Sequence, residues 1–171
     1  MPSENNNNNN TDLSLSLSLS ISIFDYIGFF GPIIVIIISI TKLWNQHQYL
    51  LGYVVFKIIN SISNSVLKSL IREARPNGGR SIINEKYTGS NIYGMPSSHT
   101  QTVAYSTIYL YLVKRSPMFL ILESFILALT FYQRWKYKRH TIDQLFIGTG
   151  IGALMGYFGF YMTKMAIQKS Y

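Results

Sequence analysis

Residues 93–102 read Tyr-Gly-Met-Pro-Ser-Ser-His-Thr-Gln-Thr and lie between a polar connection and an apolar run. The glycine permits a tight backbone and the proline is typical of a helix start, so Ser97, Ser98 and His99 are predicted where a loop becomes a helix. A helix start offers unpaired N–H groups and the positive end of the helix dipole, and both attract a phosphate. His99 would stand beside such a phosphate as a proton donor. Because the pattern is also that of an ordinary helix start, the phosphate interpretation depends on the rest of the chain.

The composition is that of a membrane protein. Hydrophobic residues make up 48% of the 171 residues and charged residues only 13%, about half the usual share. The absence of Cys excludes disulfides and thiolate metal sites. The sequence has neither a Gly-rich nucleotide loop nor a His/Asp/Glu cluster with metal-ligand spacing, so we expect no cofactor and no metal. The net charge of +8 fits nucleic acid, an anionic membrane or a phosphorylated substrate, and the positions of the basic residues must decide.

Apolar runs predict a single membrane domain of about five transmembrane helices over residues 23–164. Residues 1–22 contain an Asn run and a Leu-Ser alternation, which are typical of a disordered segment, and residues 165–171 form a short basic tail. The predicted spans are residues 23–40, 49–67, 99–113, 118–132 and 142–162. Eighteen helical residues rise about 27 Å, close to the hydrocarbon thickness of a bilayer. The predicted fold class is therefore an all-α integral membrane helical bundle.

Polar residues and glycines inside these spans predict contacts between helices. Asn60 and Asn64 in the second span favour helix–helix hydrogen bonding over the lining of a cavity. The repeated glycines of the fifth span permit close helix approach. Glu123, inside the fourth span, is a candidate ion-pair partner for Lys57 in the second.

The order of the spans predicts that three basic stretches meet at one face of the membrane, which we call side A. The second span ends there at Lys68, the third begins there at His99, and the fourth returns there before Arg134. Lys68 and Arg75 are seven residues apart, which corresponds to two helical turns, so we expect them to share one helix face.

These residues suit a dianionic phosphoryl group. Lys68, Arg75 and Arg134 supply three cations, which act together with the helix start near Ser97. Of two histidines, one can attack phosphorus while the other protonates the leaving oxygen. The cations meet the charge on the equatorial oxygens, so no metal is needed in principle. Each basic residue alone is equally typical of a span end that binds lipid headgroups, but the combined spacing favours phosphate chemistry.

The spacing resembles the three-part signature of the type 2 phosphatidic acid phosphatase superfamily. The parts are Lys68 with Arg75-Pro76, then Pro96-Ser97-Ser98-His99, then Arg134 with His140. Two positions depart from the usual pattern. Ser98 replaces a glycine, and Gln144 stands where an Asp usually follows the last histidine, while Asp143 is one position early.

These departures resemble one branch of the superfamily, the dolichyl diphosphatases, which hydrolyse polyprenyl diphosphate to the monophosphate in the endoplasmic reticulum. That reaction recycles the lipid carrier used for N-glycosylation. The resemblance implies a polyprenyl diphosphate substrate, membrane lipids as surroundings and no cofactor. The superfamily bundle usually has six spans, whereas we predict five.

The resemblance also implies roles for individual residues. His140 would be the nucleophile that forms a phosphohistidine, and His99 the general acid. The phosphoryl oxygens would be held by Lys68, Arg75 and Arg134, with help from Ser97 and Ser98. Gln144, one helical turn after His140, would orient the ring by accepting a hydrogen bond from its N–H. Asp143 points about 100° away on the same helix and ranks second.

Other functions fit the sequence less well. The alternatives are hydrolysis of another lipid phosphate, such as phosphatidate or a sphingoid-base phosphate, and an inactive lipid-binding or scaffold protein. Nucleic-acid binding is disfavoured because the basic residues lie at span ends.

The charge distribution predicts orientation. The opposite face, side B, carries Lys42, Lys114, Arg115, Lys164 and Lys169. The first span is preceded by acidic residues alone, so the positive-inside rule makes side B cytosolic. The active site would then face the lumen of the endoplasmic reticulum.

Overall fold

Five long helices form the structure, a computed structural model that describes residues 22–83 and 87–169. The helices are α1 (Ile23–Leu43), α2 (His47–Ile71), α3 (Ser98–Lys114), α4 (Pro117–Lys136) and α5 (Ile142–Lys169), and a short 3-10 helix (Gly89–Ile92) precedes α3. The described residues contain no strand, and the predicted all-α membrane bundle is confirmed. The predicted disorder of the N-terminal segment falls on residues outside the described ranges, apart from Ser22.

All five helices extend beyond their predicted spans, and the extensions of α4 and α5 change the assignment of predicted segments. Helix α4 continues to Lys136, so Arg134 lies in its last turn and not in the connection after it. Helix α5 continues to Lys169, so most of the predicted tail is helical. At the other end of the chain, Ser22 and Asp25 form a capping box that starts α1.

Helix α3 lies at the centre of the bundle and contacts each of the other four long helices. Residues 100–107 are all buried, and most of them are polar. By length and composition α1, α2 and α5 are the helices apolar enough to cross a membrane among the described residues. The side chains of residues 100–107 face protein and not lipid, so they can be polar at membrane depth. Large exposed apolar side chains on the other helices include Ile33, Ile37, Leu51, Ile58, Ile62, Ile121, Phe125, Phe146 and Leu154.

The glycines of α5 bring it against the backbone of α3. A Cβ atom at Gly148, Gly152 or Gly156 would overlap a backbone oxygen at the start or in the body of α3. Gly150, in contrast, faces open space. This backbone contact places the start of α5 directly beside the start of α3 and brings the turn before α5 to the loop before α3.

Buried amides join α2 to α3 beneath side A. The Gln101 amide donates to Asn60 Oδ1 at 2.8 Å, and its Oε1 accepts from Asn64 Nδ2 at 2.7 Å. The predicted helix–helix role of the two asparagines is confirmed. The expected ion pair between Lys57 and Glu123 is wrong, because Lys57 Nζ donates to Ser61 on the outer face of α2 at 2.7 Å. Glu123 is fully buried elsewhere in the bundle.

Candidate active site

One end of each of the five long helices lies at side A. Helices α2 and α4 end there, while α1, α3 and α5 begin there, as the alternating chain direction requires. An ion pair of 2.8 Å between Asp25 and Lys136 joins the start of α1 to the end of α4. The three basic stretches therefore lie at one end of the bundle, where connectivity placed them.

Lys68 and Arg75 reach the site by different routes. Arg72 adopts a left-handed conformation with φ 54° and ends α2, so Lys68 is in the last helical turn and Arg75 lies in the extended segment beyond it. The expectation that both share one helix face is therefore wrong. Lys68 is fully buried, and its ammonium donates to the Tyr93 carbonyl at 2.9 Å. Arg75 Nη1 lies 3.0 Å from Nε2 of His140.

The His140 ring is held at both nitrogens. Nδ1 lies 2.9 Å from the Gly94 carbonyl oxygen and 3.1 Å from Gln144 Oε1. Both neighbours are acceptors, so Nδ1 carries the proton and Nε2 presents a lone pair. Arg75 Nη1 donates to that lone pair. The ring is thus a fixed tautomer whose unprotonated nitrogen faces a cation.

The surroundings of His140 keep its ring neutral. The residue is 1% exposed in the turn between α4 and α5. Burial lowers the pKa of His140 well below its ordinary range, and the positive charges of Arg75, Arg134 and Lys68 lower it further. An uncharged imidazole is the form that can attack phosphorus.

Gln144 supports the ring from the first turn of α5. Its Nε2 donates to Glu73 Oε1 at 2.7 Å and to the Ala74 carbonyl at 2.9 Å, which leaves Oε1 to face His140. The Asp143 side chain is exposed and points elsewhere. Of the two orienting candidates, the structure brings Gln144 to the ring.

The start of α3 matches the predicted loop-to-helix position. Ser97 is the N-cap and Ser98 the first helical residue. The Ser97 N–H donates to the Gln144 carbonyl at 3.1 Å, so this N–H already has a partner. The Ser97 hydroxyl is buried and bonds to no atom within the described part of the chain. A buried hydroxyl at a helix start is a suitable donor for a phosphoryl oxygen.

His99 lies on the wall of an apolar groove between α1 and α3. The groove has a volume of about 350 Å³ and is lined by Phe29, Phe30, Pro32, Ile33, Ser98, His99 and Thr102. The Phe29 ring centroid is 6.1 Å from that of His99 and 5.9 Å from the Arg134 guanidinium carbon. One face of His99 therefore meets the lipid-facing side of the bundle, and Phe29 separates the groove from a buried arginine.

The sequence profile of the PAP2 superfamily matches residues 49–168, from the first turn of α2 to the last turn of α5. The chain belongs to the PAP2 superfamily. The resemblance drawn from the three-part spacing is thereby confirmed.

Several PAP2-type phosphatases resemble this chain. Dolichyldiphosphatase of Saccharomyces cerevisiae is 30% identical over 117 residues, which cover 62% of this chain and 48% of that protein. The chloroplastic lipid phosphate phosphatases epsilon 2 and epsilon 1 of Arabidopsis thaliana are each 28% identical, over 60% and 70% of this chain and 37% and 44% of their own lengths. The chain thus spans about half or less of the length of these relatives.

A solved structure shares the fold. The PAP2 type phosphatidylglycerolphosphate phosphatase of Bacillus subtilis superposes with a TM-score of 0.59 at 19% identity, over 95% of this chain and 86% of that chain. At this identity the likeness concerns the helical bundle and not the substrate.

Some residues of this PAP2 site were not predicted from the sequence. Tyr87 stacks between two guanidinium groups, with its ring centroid 3.9 Å from the guanidinium carbon of Arg75 and 4.4 Å from that of Arg139. The Asn91 carbonyl accepts hydrogen bonds from Arg75 Nε and Nη2. Glu73, which no motif in the sequence singles out, accepts a hydrogen bond from Gln144 Nε2. Within residues 22–83 and 87–169, no group of three or more His, Asp or Glu side chains is placed to hold a metal.

Proposed function

We propose that this PAP2 superfamily chain is a membrane hydrolase that removes the terminal phosphate of a polyprenyl diphosphate, such as dolichyl diphosphate. The observation that carries the proposal is the His140 ring, whose Nδ1 is anchored by two acceptors while Nε2 faces the Arg75 cation. A neutral, fixed imidazole beside buried positive charge is suited to attack a phosphoryl group.

In the first step Nε2 of His140 attacks the terminal phosphorus. The Nε2–P bond forms as the bond from phosphorus to the bridging oxygen breaks. His99, which would take up a proton when the negatively charged diphosphate binds beside it, gives that proton to the bridging oxygen. The products are the lipid monophosphate and a phosphohistidine. The charge on the phosphoryl oxygens would be met by Lys68, Arg75 and Arg134, with the hydroxyls of Ser97 and Ser98, so the proposal needs no metal.

Binding of the phosphate must first release Arg75 from the ring. In the structure Arg75 Nη1 donates to the same lone pair that would attack phosphorus. A dianionic phosphoryl group is a stronger acceptor than a neutral imidazole, so we expect it to draw the guanidinium onto its oxygens and expose Nε2. The contact seen without substrate would protect the nucleophile until the substrate arrives.

The groove at His99 favours a lipid as the leaving group. The leaving oxygen has to lie next to the general acid, and His99 lies on the wall of the apolar groove between α1 and α3. A chain attached to the departing phosphate would therefore run along Phe30 and Ile33 towards the bilayer.

The second step returns the enzyme to its starting state. A water molecule attacks the phosphorus of the phosphohistidine, the N–P bond breaks, and neutral His99 takes the proton from the water. Inorganic phosphate leaves, and His140 regains its lone pair. The sum is diphosphate plus water giving monophosphate plus inorganic phosphate, with His99 acting first as acid and then as base.

Two observations support the proposed substrate. The Saccharomyces cerevisiae relative is named a dolichyldiphosphatase, and Ser98 and Gln144 match that branch in the resemblance drawn from the sequence. The two Arabidopsis thaliana relatives support a second candidate, a phosphatase for another lipid phosphate. We place the protein in the endoplasmic reticulum membrane with side A in the lumen, as the resemblance and the charge distribution favour.

The decisive experiment measures phosphate release by detergent-solubilised protein from dolichyl diphosphate, phosphatidate and sphingosine phosphate in parallel. We expect dolichyl diphosphate to be hydrolysed fastest and labelled terminal phosphate to be trapped on the protein. The variant His140→Ala should lose both turnover and trapping. His47→Ala, an exposed histidine at the side B end of α2, is the matched control and should retain both.

Each other outcome selects a different function. Preference for phosphatidate or sphingosine phosphate would favour the second candidate. No hydrolysis of any substrate by folded protein would favour a lipid-binding or scaffold role. Full turnover by His140→Ala would remove the proposed nucleophile.

A further inference from the structure

Glu73 lies directly behind the residue that supports the His140 ring. Its carboxylate oxygen Oε1 accepts from Gln144 Nε2 at 2.7 Å, and Gln144 Oε1 lies 3.1 Å from His140 Nδ1. A continuous chain of hydrogen bonds therefore runs from a carboxylate, through an amide, to the ring. The superfamily usually has a carboxylate at position 144, and here the carboxylate is displaced by the length of one amide group.

Glu73, the Ala74 carbonyl and the Thr141 N–H together fix which end of the Gln144 amide faces the ring. The Nε2 group has two acceptors before it, Glu73 Oε1 and the Ala74 carbonyl. The Oε1 atom has two donors, the His140 ring and the Thr141 backbone N–H at 3.2 Å. A reversed amide would set oxygen against oxygen and N–H against N–H at every one of these contacts. The carboxylate is thus the charged member of the set of groups that hold the amide in the orientation that keeps the proton on Nδ1.

The backbone holds Glu73 and His140 to the same loop residue. The Glu73 carbonyl accepts from the Gly94 N–H at 2.8 Å, and the Gly94 carbonyl accepts from His140 Nδ1. A Cβ atom at Gly94 would overlap the Gln144 side-chain amide. Only glycine at position 94 leaves space for the Gln144 amide between Glu73 and the ring. Three segments therefore form this arrangement: the segment after α2, the loop before α3 and the first turn of α5.

We infer that Glu73 is a positioning residue that acts through Gln144, fixing the Nδ1–H tautomer of His140 and stabilising the positive charge that the ring gains when Nε2 attacks. This inference rests on the proposed function. A neutral amide alone stabilises a developing imidazolium weakly, but an amide bonded to a carboxylate is polarised towards the ring, because linked hydrogen bonds strengthen one another. Hydrogen-bond partners behind metal-ligating histidines commonly matter about 10- to 100-fold, and we expect an effect of similar size here.

The test exchanges the carboxylate and the amide. In Glu73→Gln the charge is lost and kcat should fall about 10-fold or more. In Gln144→Glu two carboxylates would face each other where a 2.7 Å hydrogen bond now stands, so kcat should fall further. In the double variant the amide introduced at position 73 can donate to the carboxylate introduced at position 144, although the Ala74 carbonyl still lacks its donor. We therefore expect kcat to recover above that of Gln144→Glu. Asp143→Asn removes an exposed charge beside them and should leave kcat unchanged.

A pH profile separates this role from a purely structural one. Removal of a carboxylate near the ring lowers the pKa of His140, so the acid limb of kcat/KM should move to lower pH in Glu73→Gln. In the double variant the carboxylate contacts the ring, and the limb should move above that of the unmodified protein. The other charged groups around the ring stay constant in all variants: Lys68 on α2, His99 on α3, Arg134 on α4, and Arg75 and Arg139 in the connections.

The outcomes distinguish this inference from the proposed function. If Glu73→Gln keeps both kcat and its pH profile while His140→Ala is inactive, Glu73 has no positioning role and the proposed function stands. If kcat of the double variant is no higher than that of Gln144→Glu, the proposed exchange between Glu73 and Gln144 is wrong. If His140→Ala turns over normally, the proposed function itself fails.

Discussion

Replacement of Arg75 tests the electrostatics of the site most directly. The side chain donates at least four hydrogen bonds, two to the Asn91 carbonyl, one to the Arg139 carbonyl and one to His140 Nε2, at 2.8–3.2 Å. The loss of one transition-state charge contact typically costs about 10²–10³ in kcat. We therefore expect Arg75→Ala to lose about 10²–10³ in kcat on a lipid diphosphate.

Replacement of Arg75 by lysine separates the contribution of the positive charge from that of the guanidinium geometry. Arg75→Lys keeps the cation, but a single ammonium group cannot reach both carbonyls or stack on Tyr87 as the planar guanidinium does. One charge-assisted hydrogen bond is worth about 1.5–3 kcal/mol, so the lysine variant should lose about 10- to 100-fold. Its kcat should lie between those of the unmodified protein and the alanine variant.

The pH dependence of kcat/KM gives a second test, for which the structure predicts the direction of the shift. Burial and neighbouring cations hold the pKa of His140 low, and Arg75 is the foremost of those cations. Without its charge the pKa of His140 rises, so the ring becomes protonated at higher pH and loses its lone pair there. The acid limb of kcat/KM should move to higher pH in Arg75→Ala and stay near its original position in Arg75→Lys.

The assay is phosphate release over a range of pH with purified variants of equal thermal stability. Arg80→Ala, an exposed arginine in the same connection, is the matched control. We propose that Arg75 holds the phosphoryl oxygens. This role is refuted if Arg75→Ala loses less than about tenfold in kcat and the acid limb of its kcat/KM profile does not move.

Three further predictions follow from the same geometry. Gln144→Leu should lower kcat more than Asp143→Asn, because Gln144 contacts the His140 ring and Asp143 is exposed; the reverse order would assign the orienting role to Asp143. Hydrolysis should continue in excess EDTA, and activity that disappears and returns with Mg²⁺ alone would contradict charge stabilisation by the cations. In sealed, right-side-out microsomes a cysteine at Ser90 on side A should resist an impermeant maleimide until detergent is added, whereas a cysteine at Asn45 on side B should react at once. The reverse labelling would place the site in the cytosol. The natural chain has no Cys, so both variants carry a single thiol.

The sequence was sufficient for the fold class and for the meeting of the three basic stretches. Apolar run lengths predict the number of long helices, and alternation of direction then places Lys68, His99 and Arg134 at one end. Both inferences depend on chain connectivity and not on side-chain detail. The predicted spans were least accurate where helices continue beyond the apolar core, as at Lys136 and Lys169.

The parts of the site that escaped prediction depend on backbone conformation. The left-handed residue that ends α2 is an arginine, and arginine gives no sequence signal for positive φ. The carbonyls of Tyr93, Gly94 and Asn91 hold a lysine, a histidine and an arginine of the site, and any residue type would supply such a carbonyl. Glu73 was visible in the sequence, but no local pattern connects it to Gln144, 71 positions away.

The two ring nitrogens of His140 have different surroundings: a cation lies at Nε2, and a carboxylate lies one amide away from Nδ1. This polarity fits the proposed nucleophile, whose charge would change during the reaction. Arg75 at Nε2 favours the neutral ring before substrate binds. In the proposed reaction the phosphoryl group would draw Arg75 away, and positive charge would develop on the ring and spread to Nδ1–H as the lone pair attacks. Glu73, one amide away, would then act on that charge without contacting the resting ring directly. A carboxylate at position 144 itself would favour the protonated ring at all stages, so the intervening amide would keep the nucleophile available at lower pH.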